Sequence, residues 1–124
     1  MTGTITIDPI GKPRQTQRDK WKQRPVVMRY RAFCDTVRAH FGGRLEDIHG
    51  ITIKFYIPMA DSWSNKKKGK MVGTQHRQKP DIDNLAKSFM DAILKDDSCV
   101  SQLSAEKVWA STGSITYTMT RVSE

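Results

Sequence analysis

The sequence predicts an α+β fold, a single two-layer domain in which a mixed β-sheet carries two main helices. Over residues 51–57 and 115–121, apolar side chains alternate with polar ones, which is typical of strands covered on one side. Over 26–41 and 82–93, apolar side chains instead recur every three or four positions, which is typical of helices with one buried face. The order strand, helix, strand, helix, strand, strand fits one domain over residues 1–124.

The N-terminal third of the chain predicts a strand, a basic arm and a helix. Residues 4–10 alternate β-branched and polar side chains until Pro9 stops the pattern. Residues 11–25 hold few apolar side chains and many basic ones, which predicts an arm or loop. The helix over 26–41 then ends at Gly42, because glycine commonly follows a helix C-terminus.

The rest of the chain predicts a strand, a loop, a second helix and two strands. Residues 61–80, between the strand at 51–57 and the second helix, show no periodicity and are rich in lysine. We therefore expect a mobile, basic loop there. After the second helix, residues 103–112 and 114–122 predict two strands that turn at Gly113.

The chain is strongly basic, with 21 Lys and Arg against 13 Asp and Glu and a net charge of +8. Nucleic acid is the favoured partner because phosphate contacts release condensed counterions, although many basic proteins bind no polyanion. A membrane partner is not expected, since there is no apolar run of about 20 residues and no basic amphipathic helix with exposed apolar residues. The N-terminus lacks the features of a signal peptide, so we expect a cytoplasmic, nucleoid-associated protein.

Neither the cysteines nor the histidines follow a metal-binding spacing. Cys34 and Cys99 form no CxxC pattern, which favours two reduced thiols. The three histidines are scattered along the chain, which argues against a zinc site.

One stretch, KPDIDNLAKSFMDAILKDDSCV, gathers acidic residues within this basic chain. In a structural interpretation Asp81 caps the second helix, and Asp83 favours the helix dipole and forms an exposed pair with Lys87 worth about 0.3 to 0.5 kcal/mol. In the other interpretation a cap conformation at Asp81 lets two carboxylates converge. Converging like charges need a cation between them, and carboxylate oxygens suit Mg²⁺ or Mn²⁺, with Asp96 or Asp97 as a third ligand.

The same residues carry a resemblance to a known family. KPDIDNLAKSFMDA, with DD just beyond it, resembles the signature of the RusA-type Holliday junction resolvases. The segments GKPRQTQRDKW and PMADSW resemble those of RusA-like proteins carried by phages and prophages, so the similarity spans most of the chain. It implies a RusA-like fold and an Mg²⁺-dependent endonuclease, with Mn²⁺ as a substitute, that acts as a homodimer on four-way DNA junctions in recombination and repair.

The resemblance also implies an active site of three acids and one lysine. Matched position by position, the acids are Asp81, Asp83 and Asp97, with Asp96 as the alternative to Asp97, and the lysine is Lys87. On this basis the acids bind the metal ion, and the lysine holds the scissile phosphate or stabilises the transition state.

The link between the second helix and the acidic pair is short for such a site. A helix that runs to Leu94 carries the chain about 18 Å from Asp83, and three extended residues return only about 10 Å. We therefore predict that the helix ends near residues 91–92 or bends.

Basic side chains in the arm and in the loop are candidates for DNA phosphate contacts. They are Arg14, Arg18, Lys20, Lys22 and Arg24 in the arm, and Lys66, Lys67, Lys68, Lys70, Arg77 and Lys79 in the loop. His76 is either a phosphate or metal contact or an ordinary surface histidine. Trp63 either stacks at a DNA branch point or, as we favour, anchors the loop, while Trp21 and Trp109 are assigned to packing.

Two other classes of function fit some of these features. A non-catalytic protein that binds branched DNA shares the basic segments but produces no nicks that depend on a divalent ion. Mg²⁺-dependent nucleotide chemistry is disfavoured because the sequence has no glycine-rich phosphate loop.

Overall fold

The computed structural model describes residues 1–13 and 25–122. Its elements in chain order are β1 (Thr2–Ile5), α1 (Pro25–His40), β2 (Ile48–Pro58), α2 (Asn65–Met71), α3 (Ile82–Ile93), a short 3₁₀ helix (Asp97–Cys99), β3 (Gln102–Ala110) and β4 (Ser114–Arg121). The arm candidates and Trp21 lie outside the described residues; they are Arg14, Arg18, Lys20, Lys22 and Arg24. No helix within the described ranges is long and apolar enough to span a bilayer.

The four strands form one mixed sheet in the order β1-β4-β2-β3. β2 pairs in parallel with β3 and antiparallel with β4, and β4 pairs antiparallel with β1. Although β3 and β4 are consecutive in the chain, β2 lies between them. The connection from β2 to β3 is therefore a crossover, and it contains both α2 and α3. The predicted α+β fold with a mixed sheet is confirmed.

One face of the sheet and the facing sides of α1 and α3 form the core, as the alternation in β2 and β4 predicts. Thr52 and Thr118 lie on the opposite face of the sheet and are exposed. The fully buried side chains of the core include Val27 and Val37 of α1, Ile51, Ile53 and Phe55 of β2, Leu85, Phe89 and Ile93 of α3, and Ile115 and Met119 of β4.

Two predicted elements differ in the structure. β1 ends at Ile5 rather than at residue 10, because its partner β4 begins at Ser114 and the last registered pair is Ile5 with Ile115.

The predicted loop over 61–80 contains the helix α2. This helix begins after the N-cap Ser64, and the Ser64 Oγ accepts a hydrogen bond from the Lys67 backbone N at 3.1 Å. None of the α2 residues is buried, so this helix has no apolar periodicity that sequence analysis can detect.

Candidate active site

α3 presents one buried face and one exposed face, and the exposed face carries the candidate residues. Leu85 and Phe89 are fully buried against the sheet. Residues three and four apart share a helix face, so Asp83, Lys87 and Asp91 line up on the other side. The apolar stripe thus determines which side of the helix the charged residues occupy.

At the start of α3, two carboxylates lie without an ion-pair partner among the described residues. Asp81 is the N-cap residue in an extended conformation (φ −68°, ψ 146°), but its side chain makes no capping hydrogen bond. Asp83 accepts a hydrogen bond from the Asn84 backbone N at 2.9 Å. Lys87, the partner that the structural interpretation gave to Asp83, contacts Asp91 and Asp97 instead.

The segment that leads into Asp81 is fastened to β3 by Lys107. Its Nζ donates to the Gln78 carbonyl oxygen at 2.6 Å and to the Pro80 carbonyl oxygen at 2.7 Å. The His76 backbone N donates in turn to the Lys107 carbonyl oxygen at 3.1 Å. The position of Asp81 therefore depends on a strand that follows it in the sequence.

At its other end, α3 stops at Ile93, one residue beyond the predicted range. Leu94 is already extended (φ −102°, ψ 141°). Two carbonyls of the last turn have no partner within the helix and accept hydrogen bonds from α1 and from the segment after it. Arg38 Nε donates to the Ala92 oxygen at 2.9 Å, and Leu45 N donates to the Ile93 oxygen at 2.6 Å. These bonds end the helix and leave the chain free to turn back.

The two acids after α3 have different roles. Asp96 Oδ1 accepts hydrogen bonds from Ser98 N at 2.9 Å and Ser98 Oγ at 2.6 Å, so it caps the 3₁₀ helix. These hydrogen bonds lower the pKa of the Asp96 carboxyl below its ordinary value. Asp97 Oδ2 instead accepts a hydrogen bond from Lys87 Nζ at 3.0 Å. Of the two alternatives for the third acid, Asp97 is the one directed at α3.

Lys87 belongs to a chain of charges that sequence reasoning did not assign. Its Nζ lies 3.5 Å from Asp91 Oδ1, and Lys12 Nζ lies 2.7 Å from Asp91 Oδ2. The hydrogen bond to Asp97, together with the charge of Asp91, raises the pKa of Lys87 above its ordinary value. The lysine therefore remains protonated at neutral pH.

The N-terminal segment before the basic arm is bound to the same helix. Ser88 Oγ donates to the Ile10 carbonyl oxygen at 2.7 Å, and Asn84 Nδ2 donates to the Lys12 carbonyl oxygen at 3.1 Å. A Cβ at Gly11 would stand 2.5 Å from Asn84 Nδ2, so a side chain there would displace the Asn84 amide from its bond to the Lys12 oxygen. Residue 13, where the described N-terminal segment ends, thus lies beside α3.

Of the predicted site residues, Lys87 and Asp97 are brought into direct contact, whereas Asp81 and Asp83 lie at the start of the helix. Within residues 1–13 and 25–122, no three His, Cys, Asp or Glu side chains are grouped so that they can hold one metal ion. The donors are suitable in kind, because carboxylate oxygens are the ligands that Mg²⁺ prefers. The roles of the four residues stay predictions.

The loop candidates are exposed or partly exposed cations on and around α2. Lys67 Nζ lies 4.0 Å from the centre of the Trp63 ring. Trp63 packs against Trp109, with 4.7 Å between ring centroids, which is the anchoring contact that we favoured. Arg77 donates to Gln75 Oε1 at 3.3 Å. The other candidates are Lys66, Lys68 and Lys70, on α2 itself, and Lys79, next to Pro80.

His76 is not a surface histidine, contrary to one of its two interpretations. It is 4% exposed, and its ring packs 4.3 Å from that of Trp109. Burial, with a further contribution from the charge of Lys107, lowers the pKa of His76 below its ordinary value. A contact of His76 with phosphate or metal stays a prediction.

Sequence analysis assigned no role to Lys12, Asp91 or Lys107. Asp91 was detectable, since it lies four residues after Lys87 on the same helix face. Lys12 and Lys107 gave no such signal, because their partners lie 79 and 27 to 29 residues away in the chain.

The fold and the site together define a class of protein: a small basic α+β domain that presents carboxylates and a lysine along one exposed helix face, a donor set suited to phosphodiester hydrolysis. The family model described as "Endodeoxyribonuclease RusA" matches residues 6–120 of the 124, and the chain belongs to this family. The predicted family is therefore confirmed, and membership supports a nuclease that acts on DNA; the phage-like branch stays a prediction. Searches of curated proteins and of solved structures found no match.

Proposed function

We propose that this chain is an Mg²⁺-dependent endonuclease that resolves four-way DNA junctions by paired, symmetric nicks. Family membership supports the class of substrate. The observation that best supports the proposed active site is the hydrogen bond from Lys87 Nζ to Asp97 Oδ2 at 3.0 Å. It joins the residues of α3 to the acidic pair beyond it, which are the two parts that the sequence motif combines.

Asp81, Asp83 and Asp97 are the proposed metal ligands. If a metal ion is held by these carboxylates, the chemistry it would supply is the activation of water and the neutralisation of charge on the phosphate. The first two carboxylates have no cationic partner among the described side chains, so their oxygens are available. Asp97 accepts the hydrogen bond of Lys87 through Oδ2, and its other oxygen, Oδ1, is the proposed metal ligand.

Lys87 is the proposed contact to the scissile phosphate. Its side chain is about half exposed (49%), and its ammonium group lies between Asp91 and Asp97. The hydrogen bond to Asp97 and the charge of Asp91 raise the pKa of Lys87, so its ammonium group is protonated at neutral pH and can stabilise charge on the phosphate.

Two active sites are needed for two nicks in opposed strands. A four-way junction has near two-fold symmetry, and a closed dimer with a two-fold axis places identical sites in matching positions. We therefore propose a homodimer as the active form. A stable monomer at micromolar concentration in light scattering would contradict this part of the proposal.

The test uses the purified protein with a synthetic four-way junction, a matched duplex and a replication fork, each with Mg²⁺, Mn²⁺ or EDTA. We expect paired, symmetric nicks in the junction with either metal ion, no nicks in EDTA, and little cleavage of the duplex. Tight binding to the junction without nicks under any metal condition would instead support a non-catalytic branched-DNA-binding protein. Equal cleavage of junction and duplex would contradict the proposed selectivity for four-way junctions.

A further inference from the structure

A positively charged groove lies between α1 and the end of α3, and none of the described residues that were predicted to bind DNA lines it. It is a cavity of about 390 Å³. Four cations and two carboxylates line it; they are Lys12, Arg31, Arg38 and Arg44, with Asp35 and Asp91. We call this surface the α1 groove.

The α1 groove continues into a second cavity of about 360 Å³ that reaches the acidic turn. The two cavities share Lys12, Arg44 and Asp91, and the second is also lined by Asp96 and Asp97. A chain of phosphates that lies in the groove therefore leads directly to the proposed third acid of the active site.

The carboxylates of the α1 groove are already matched with cations. Asp91 lies 2.7 Å from Lys12 and 3.5 Å from Lys87, and Asp35 lies 3.8 Å from Arg38. Arg31 and Arg44 form no ion pair within the part of the chain that the structure describes. The two arginines add net positive charge that the groove itself does not neutralise.

Backbone contacts fix the position of two of these arginines. Arg38 Nε donates to the Ala92 oxygen at 2.9 Å. Arg44 follows a turn at Gly42 and Gly43, which have positive φ angles of 72° and 134°. The next residue, Leu45, donates its backbone N–H to the Ile93 oxygen at 2.6 Å. A cation on a fixed backbone loses less conformational freedom when it binds a phosphate than one on a flexible segment.

The floor of the groove is uncharged and the rim is exposed. Burial raises the pKa values of Tyr30 and Cys34 above their ordinary values, so both side chains stay neutral. Arg31 and Arg44 at the rim are exposed. Exposed guanidinium groups above a neutral floor suit a polyanion that passes across the surface, since guanidinium presents paired donors to phosphate oxygens.

We propose that the α1 groove binds the phosphodiester backbone of the DNA next to the scissile phosphate, through Arg31 and Arg44. The inference rests on the proposed function and adds the surface by which the substrate reaches the acidic turn. It uses none of the cations of α2, where sequence analysis placed part of the DNA contacts.

The test compares the double variant Arg31→Ala/Arg44→Ala with the wild-type protein in binding to a labelled four-way junction in EDTA, over a series of NaCl concentrations. We expect the affinity to fall about 10- to 100-fold, since each charge-assisted contact contributes about tenfold. The slope of log affinity against log salt should decrease in magnitude by about 1.8, because each lost phosphate contact removes about 0.9.

A charge-matched control is Arg29→Ala/Lys54→Ala. Arg29 lies two residues from Arg31 on α1 and therefore points about 200° away around the helix. Lys54 lies on β2 in a surface pair with Glu106 at 3.6 Å. Both double variants remove two positive charges, and this one should change the affinity by less than about 2-fold, because nonspecific charge contributes little beyond a Debye length.

If the two double variants bind the junction with equal affinity and equal salt dependence, the α1 groove does not bind DNA. The single variant Arg31→Ala, at an exposed helix position, repeats the test without any risk to the fold and should reduce the slope by about 0.9. If the wild-type protein binds no junction at all, both the proposed function and this inference are wrong. If the wild type binds and the variant binds equally well, only this inference is wrong.

Discussion

The two ends of α3 hold their carboxylates in opposite ways. At the start, Asp81 and Asp83 have no cationic partner among the described side chains, and Asp81 makes no capping bond. At the end, Asp91 is shared between Lys12 and Lys87, and Asp97 is bound to Lys87. Within the described part of the chain, α3 thus has one acidic end without cationic partners and one acidic end matched with lysines.

The difference separates charge that organises the fold from charge that is available to a ligand. The pair Lys12–Asp91 joins segments 79 residues apart, so it holds the N-terminal segment on α3. Asp81 and Asp83 form no such long-range pair among the described residues, and Asp83 accepts a local hydrogen bond from Asn84 N. We expect substitutions at the start of α3 to affect catalysis alone, and those at the end to affect catalysis and structure together.

The largest expected effect is at the start of the helix. Asp83→Asn should reduce junction cleavage in Mg²⁺ at least about 1,000-fold, which corresponds to about 4 kcal/mol of transition-state stabilisation. Binding to the junction in EDTA should be unchanged or tighter, because less negative charge faces the phosphates. The measurements are single-turnover cleavage and fluorescence anisotropy.

The matched control for Asp83 is Asp47→Asn. Asp47 is an exposed acid with a φ of 62°, a conformation that asparagine tolerates, so the variant removes the same charge without strain. Cleavage by Asp47→Asn should stay within about 2-fold of wild type, in line with the small effect of surface changes. Cleavage retained by Asp83→Asn would remove Asp83 from the proposed site.

The next effect distinguishes the two acids after the helix. Asp97→Asn should reduce cleavage about 100-fold, the upper end of what loss of a metal-site partner costs. Asp96→Asn should reduce it less than about 3-fold, because an asparagine side-chain oxygen still accepts the bonds from Ser98 that form the turn. The reverse order of the two rates would assign the third acid to Asp96.

The fold was predictable where burial creates a pattern. α1 was predicted as 26–41 and is Pro25–His40, because five of its side chains are buried at helical spacing. Along β2, buried side chains alternate with more exposed ones, and this alternation made the strand predictable. α2 buries nothing, so only its N-cap Ser64 marks it in the sequence. The β2–β3 pairing is parallel and nonlocal, and the position of β2 between two consecutive strands follows from the whole sheet rather than from any local signal.

The motif named the four candidate site residues, whose roles stay predictions, but it said little about their contacts. The motif identified Lys87 and Asp97, and the structure joins them at 3.0 Å. The extent of α3 was predicted to within one residue, but the cause, hydrogen bonds from Arg38 and Leu45 to its last carbonyls, comes from a different part of the chain. Long-range side-chain contacts of this kind depend on tertiary packing, which a single sequence does not specify.

A smaller effect tests whether Asp91 positions Lys87. Asp91→Asn weakens two ion pairs, and cleavage should fall about 10-fold, the lower end of the cost of an outer-shell change. Stability should fall by at most about 1 kcal/mol, as for other partly exposed pairs. The decisive measurement is the double variant with Lys87→Met, in which Asp91→Asn should cause no further loss of rate, because interacting residues are non-additive. An additional 10-fold loss in that background would give Asp91 a role separate from Lys87.

The smallest effect concerns the segment that leads into the start of the helix and appears in stability rather than in rate. Burial lowers the pKa of His76 in the folded protein, whereas the unfolded chain titrates at about 6.5. Below that pH the unfolded state binds more protons, so the stabilising contribution is present above pH 6.5 and is lost as the pH falls. His76→Phe keeps a ring against Trp109 but does not titrate, so its free energy of unfolding should decrease less than that of wild type between pH 7.5 and 5.5. Urea unfolding at pH 7.5 and 5.5 measures the free energy of unfolding of both proteins. If it decreases equally in wild type and in His76→Phe, protonation of His76 does not cause the loss of stability.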